Sequence, residues 1–243
     1  MEIDKKIFYC WFGEQDKPQE VLTYIATWKQ YMPEYEIIEI NETNFDISKY
    51  RYAQTAYVAK KYAFVSDCAR IAFLQKYGGV YFDTDVEVRK DLTPLIKSIQ
   101  GKILLSMEYF QFELTGVNTG VIVSEKNCMI WEDLLKYYLI SDFIVTDEPQ
   151  TINQYISHLL EKHTTFQYRD INQTVSYKSE TVSIIPAQYL MKDTKQAFAV
   201  HHLSGTWKEN LSFNRKIRRV IGLVLKKIIG RRNFERLWNN KKE

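Results

Sequence analysis

The sequence has no closely spaced cysteines. Its three, Cys10, Cys68 and Cys128, lie far apart, with no C-x-x-C pair among them. An odd, scattered count excludes a disulfide-stapled scaffold and fits a reducing compartment. No stretch approaches the ~20 apolar residues of a membrane-spanning helix. The start is polar, and the apolar run from Ile7 to Phe12 is too short for a signal peptide. No internal repeat or low-complexity segment appears, and no glycine-rich loop carries a lysine to cradle phosphate. Only four histidines are present. These absences lead to the expectation of a cytoplasmic protein.

What is present suits one sizeable α/β domain. The 243 residues are 45% hydrophobic, and a chain of this length buries roughly 70–75% of its unfolded surface. Aromatic residues make up 14%, including 17 tyrosines, which fits either a well-packed core or a cleft that stacks on rings. The net charge of +3 conceals an asymmetry. Residues 212–243 hold eleven Lys/Arg against Glu235 and Glu243, or +9, which leaves −6 for residues 1–211. The expected organisation is therefore a domain over 1–211 and a basic tail over 212–243.

Periodicity predicts a strand over Ile7–Phe12 and a helix from about Pro18 to Tyr31. A strand follows at "YEIIEI" (35–40), then helix from Ala53 to Tyr77, in one piece or two. Gly78-Gly79 stops that helix, and "VYF" and "VEV" are short strands on either side of Asp83-Thr84-Asp85. Strands are expected at Ile103–Ser106, Gly120–Val123, "TVSIIP" and "AFAVHHL", and helices at Met129–Leu139 and Thr151–Glu161. Strand–helix alternation in the first ninety residues predicts a largely parallel sheet flanked by helices, with ligands beyond the carboxyl ends of its strands.

Three constellations could carry chemistry. Asp83 and Asp85 end a buried strand, where a carboxylate is costly unless it meets a cation or donors. They are either a surface turn or hard oxygen ligands for Mg²⁺ or Mn²⁺ holding phosphate. Asp67 and Arg70, three apart in the apolar run "YAFVSDCARIAFL", are either an intrahelical ion pair or a cleft-facing pair for sugar hydroxyls or phosphate. In "VHHLSGTWK" a histidine at a strand end is either structural or a nitrogen ligand to the same metal. Asn118-Thr119-Gly120 is a turn or offers an amide to a polar ligand.

The segments "KIFYCWFG", "PEYEIIEINETNFDI", "AKKYAFVSDCARIAFLQKYGGVYFDTDVEV", "NTGVI" and "HHLSGTW" occur in the order seen in bacterial glycosyltransferase family 32, and the chain resembles that family over roughly residues 6 to 207. These D-x-D sugar transferases are linked to capsule and surface polysaccharide synthesis. They are related to yeast initiating mannosyltransferases and to clostridial glucosylating toxins. The resemblance implies a GT-A nucleotide-diphospho-sugar transferase fold, a divalent cation (Mn²⁺ or Mg²⁺), a nucleotide-sugar donor and retention of anomeric configuration. By position, Trp11 resembles the residue that stacks on the base, and Asp67 and Arg70 those gripping the donor sugar. Tyr81 stands within the conserved-type block, Asp83 would contact ribose and sugar, and Asp85 would bind the metal. Asn118 would line the sugar pocket, Trp207 would close over the diphosphate, and Tyr81, Gly120 and Ser204 would join in binding substrate. His202 resembles the late metal ligand, with His201 as the alternative. Phe8 and Ile40 stand where many relatives have histidine and tryptophan.

The tail reads as an amphipathic basic helix. Ile217, Val220, Ile221, Val224 and Ile228 fall on one face and Lys216, Arg218, Arg219, Lys226 and Lys227 elsewhere. That pattern fits either a helix packed on the domain or an interfacial helix on an anionic membrane, where lipid-linked acceptors reside. A peripheral position on the inner face of the plasma membrane is therefore expected. Rival readings are a metal-dependent nucleotidyl or phosphoryl transferase and a non-enzymatic membrane or nucleic-acid binder using the tail. The acidic body fits nucleic acid poorly.

Overall fold

A computed structural model describes residues 1, 3–110, 113–146 and 149–203. The first strand, β1 (Lys6–Cys10), is followed by α1 (Gln19–Tyr31), β2 (Glu36–Ile40), α2 (Arg51–Val58) and α3 (Tyr62–Tyr77). Then come β3 (Gly79–Phe82), β4 (Val86–Val88) and the short α4 (Thr93–Ser98). A long hairpin, β5 (Ile103–Phe110) and β6 (Glu113–Ser124), precedes α5 (Met129–Ile140) and α6 (Ile152–His163). The described chain closes with β7 (Gln173–Tyr177), β8 (Glu180–Ile185), α7 (Ala187–Leu190) and β9 (Ala199–His201).

Seven strands form the central sheet in the order β2-β1-β3-β6-β5-β8-β7. The pairs β1/β2, β1/β3 and β5/β8 are parallel, whereas β3/β6, β5/β6 and β7/β8 are antiparallel. Five strands (β2, β1, β3, β5, β8) therefore run one way, with β6 reversed between β3 and β5. The sheet is mostly parallel and flanked by helices, the α/β architecture expected from the sequence. The hairpin is longer than the sequence pattern indicated, because its distal residues lie outside the continuously buried runs Ile103–Met107 and Val117–Ser124. The edge strand β7 and the short α4 and α7 were not among the elements expected from the sequence.

Successive side chains of a strand point to opposite faces, so β1 serves two cores. Ile7 and Tyr9 pack with Val21, Ile25 and Trp28 of α1, while Phe8 and Cys10 pack with Val65, Cys68 and Ala69 of α3. The helix expected over Ala53–Tyr77 is in two pieces, broken where Lys60 adopts φ 55°. Gly78 (φ +67°) stops α3, and a Cβ there would lie 2.9 Å from the Lys126 nitrogen. A Cβ on Gly79 (φ +119°) would lie 2.8 Å from the Lys6 carbonyl oxygen. Both glycines are required by close backbone approach as much as by backbone angle.

A second, two-stranded sheet pairs β4 with β9, with Val86 opposite His201. It is covered by α1, whose buried Trp28 donates its indole N–H to the Val86 carbonyl at 2.7 Å. This pairing matters for function, because it brings a segment from the end of the described chain to the residue after Asp85. Among the described residues, no helix is long and apolar enough to cross a membrane. The domain boundary expected at residue 211 and the whole of the basic tail lie outside the described residues.

Candidate active site

The site forms where β3 ends. Asp83 is fixed by its backbone N–H, which donates to the Gly120 carbonyl of the neighbouring strand at 2.8 Å. Its Oδ1 accepts from the Tyr81 hydroxyl at 2.9 Å and pairs with Arg70 Nη1 at 3.1 Å. Arg70 is the hub. Its Nη2 meets Asp67 Oδ1 at 3.0 Å, Nη1 donates to the Thr119 carbonyl at 3.0 Å, and Nε donates to the Ser66 carbonyl at 3.3 Å. The guanidinium also lies 4.5 Å from the centre of the Tyr81 ring. Both Asp67 and Arg70 are buried, so their pairing is not a solvated surface bridge.

Burial fixes the electrostatics of this group. It pushes the Asp67 carboxyl up to about 6, against the opposing pull of Arg70 and with a further push from Asp83. Burial also works against the Arg70 charge, but Asp83, Tyr81 and Asp67 outweigh it and hold the guanidinium more firmly protonated than usual. A planar fork that satisfies two carboxylates and two carbonyls is a task for arginine that lysine cannot copy.

On the other side of Asp83 sits the histidine. His201 Nε2 lies 3.1 Å from Asp85 Oδ1 and 3.7 Å from Asp83 Oδ2. Ligand atoms of Asp83, Asp85 and His201 all fall within 4.8 Å of one another. The structure thus departs from the expected assignment of His202. That side chain faces the other way, with Nε2 2.9 Å from Glu87 Oε2 and its ring stacked on Tyr24 at 4.8 Å. The physical reason is strand alternation: the β4/β9 register aims His201 at the aspartates and sends its neighbour to the opposite side.

His201 is itself positioned by two residues of β6. Asn118 Nδ2 contacts His201 Nδ1 at 3.0 Å, while Asn118 Oδ1 accepts the Gly120 N–H at 3.0 Å. Gly120 leaves room for the ring, since a Cβ there would stand 2.4 Å from His201 Cε1. Burial lowers the His201 pKa, but the hydrogen bond and charge of Asp85 and the charge of Asp83 outweigh it, so the net shift is upward. Two carboxylates and one imidazole converging on a point fit a divalent cation such as Mn²⁺ or Mg²⁺.

Of the other expected site residues, Trp11 is half-buried just beyond β1, with its indole N–H donating to the Gln15 carbonyl at 2.6 Å and Lys17 Nζ 5.6 Å from its ring. Tyr81 is buried beneath Arg70. Asn118 and Gly120 contact His201, the role described above. Ser204 and Trp207 lie outside the described residues. Phe8 and Ile40 are core residues, 1% and 0% exposed. Sequence reasoning passed over Asn153 and Glu108. Asn153 Oδ1 accepts from the Thr119 N–H at 3.2 Å, and its Nδ2 donates to Glu108, which also accepts from Thr115 Oγ1 at 2.8 Å. No local motif surrounds either residue; only the fold brings α6 to the hairpin.

Comparison with known proteins gives a family match. Residues 18–102 match the family described as "Glycosyltransferase sugar-binding region containing DXD motif". That segment includes Asp67, Arg70, Tyr81, Asp83 and Asp85. No curated protein matches the chain. Among solved structures, PaToxG glycosyltransferase shares 22% identity over 55% of this chain and 59% of that one, with a TM-score of 0.45. The chain thus spans about three fifths of the PaToxG chain. A glycosyltransferase involved in glycosylation of the major capsid of PBCV-1 shares 11% identity over 82% and 94% of the two chains, with a TM-score of 0.48. Glycosyltransferase GlyE from Streptococcus pneumoniae TIGR4 shares 14% over 66% and 44%, with a TM-score of 0.42. Residues 18–102, which hold the D-x-D pair together with Asp67 and Arg70, are thus similar to the sugar-binding region of D-x-D glycosyltransferases.

Proposed function

We propose that the protein is a retaining, metal-dependent hexosyltransferase that moves a hexose from a nucleotide-diphospho-sugar to a glycan acceptor. The convergence of Asp83, Asp85 and His201 beside the Asp67–Arg70 pair carries this reading. Asp85 and His201, with Asp83, would hold Mn²⁺ or Mg²⁺, and the cation supplies charge neutralisation of the departing diphosphate.

The remaining work falls to the chain's own residues. Arg70 holds Asp67 and Asp83 in fixed geometry, so that both carboxylates reach the sugar without reorganising. Their negative charge favours the positive charge that develops at the anomeric carbon as the leaving group departs. Asn118 and Gly120 keep the His201 imidazole against the aspartates. Trp11 is the stacking platform for the base. No separate nucleophile for a double displacement is evident among these side chains, which favours attack by the acceptor on the face from which the diphosphate leaves.

Capsule or surface polysaccharide synthesis, with a lipid-linked acceptor at the inner face of the plasma membrane, is the setting we assign. It rests on the basic amphipathic pattern of residues 212–243. The central test is donor hydrolysis with added Mn²⁺: Asp85→Ala is expected to abolish it, and parental activity in that variant would end the proposal. For the tail, chain ending at residue 211 is expected to stop floating with anionic liposomes; equal flotation would exclude the anchor.

A further inference from the structure

Near the end of β2, two strands away from Asp83, stands a carboxylate that no motif marks. Glu42 lies two residues beyond β2. Its Oε1 accepts the Gly13 N–H at 2.7 Å and the Tyr57 hydroxyl at 3.0 Å. Both bonds fall on Oε1, and Oε2 accepts none among the described residues. Tyr57 and Tyr62 pack with ring centres 5.4 Å apart, and the Tyr62 ring closes on Gly13. A Cβ on Gly13 (φ +96°) would sit 2.4 Å from Tyr62 Cε2, so this turn is built around glycine. The result is a half-buried carboxylate held between a backbone turn and two aromatic rings.

Strand order places this carboxylate relative to the aspartates. β2, β1 and β3 are consecutive neighbours in the sheet, so the ends of β2 and β3 are about 10 Å apart. That is on the scale of a nucleoside diphosphate from base to terminal phosphate. Pairing of β1 with β2 continues past the strands, with the Trp11 N–H on the Ile40 carbonyl at 2.9 Å. A donor whose diphosphate lay at Asp83 and Asp85 would have its base over the ends of β1 and β2, where Trp11 and Glu42 lie.

We propose that Glu42 reads the edge of the donor's base and selects a base with a ring N–H, uracil or guanine, over cytosine and adenine. The inference rests on the nucleotide-sugar reading above. A carboxylate is an acceptor only. Uracil N3–H and guanine N1–H each offer it a charge-assisted hydrogen bond. Cytosine N3 and adenine N1 carry a lone pair at the corresponding position, which repels a carboxylate oxygen. Their amino groups stand beside that lone pair and recover the loss only in part.

The test is calorimetric titration of the full chain with UDP, GDP, CDP and ADP in the presence of Mn²⁺. UDP or GDP is expected to bind about tenfold or more tightly than CDP and ADP, the worth of one hydrogen bond to a charged group. In Glu42→Gln, whose amide offers both a donor and an acceptor, that ratio collapses towards one. Glu42→Asp keeps the charge but withdraws it by a methylene, and loses part of the preference; it serves if the glutamine variant does not fold. Binding of CDP or ADP as tight as that of the better of UDP and GDP, or a preference unchanged in both variants, overturns the proposal while leaving the donor reading intact. Failure of all four diphosphates to bind overturns the donor reading itself, and this inference with it. The comparison of UDP with GDP then identifies which base the site takes.

Discussion

Gly120→Ala is a one-methyl perturbation whose consequence can be worked from the structure. The added carbon would stand 2.4 Å from His201 Cε1 and 2.5 Å from Nδ1, whereas ordinary Cβ contacts in proteins fall at 3.4–4 Å. The ring must therefore recede by about an ångström or β6 must move. β6 is held on both sides, by β3 and by β5, so the ring is the part that yields. A displacement of that size breaks the 3.1 Å contact between Nε2 and Asp85 and the 3.0 Å contact between Nδ1 and Asn118. Overpacking costs about 1–3 kcal/mol of stability, and disturbing the support of a metal-ligating histidine costs roughly 10–100-fold in metal affinity. Mn²⁺ affinity read by electron paramagnetic resonance, alongside urea unfolding, measures both. His201→Ala should match or exceed the loss of affinity, and His202→Ala should leave it within about twofold, since its partners are Glu87 and Tyr24. If Gly120→Ala binds Mn²⁺ as tightly as the parent, His201 is not a ligand held by that strand. Equal losses from the His201 and His202 variants would likewise refute the assignment.

Two further outcomes follow from the same geometry. The upward shift of His201 means that the metal-free fold gains stability from the imidazolium below the unfolded value of 6.5 and loses it as pH rises through the higher folded value. In EDTA, the melting temperature relative to His201→Ala should therefore fall over that rise, and Mn²⁺ affinity should weaken as pH drops through the same window. A melting difference that grows with pH would contradict the sign. Arg70→Ala leaves Asp67 and Asp83 buried or half-buried without their cation and should cost about 3–5 kcal/mol in urea unfolding. Arg70→Lys should cost less but still lose donor hydrolysis, because one ammonium cannot bridge both carboxylates and two carbonyls. A loss below about 1 kcal/mol for the alanine variant would remove Arg70 as the hub.

Much of this protein was legible in its residues. The spacing of Val65, Ala69, Ala72 and Phe73, the stop at Gly78-Gly79 and the carboxylates after a buried strand identify a helix, a turn and a polar site, because each depends on neighbours in sequence. Asp67 and Arg70 stood out for the same reason, as two charges inside an apolar helix. Local pattern could not choose between adjacent histidines, since that choice depends on which residue of β9 lies opposite Val86, a pairing across more than a hundred residues. Nor could it reveal Glu42, which gains its place only when the ends of β1 and β2 and the last turn of α2 meet near Gly13. The sequence by itself determined which groups can bear charge and which faces must be buried. Tertiary structure alone decided which of those groups converge, because register and strand order are set by long-range packing rather than by any residue's own preference.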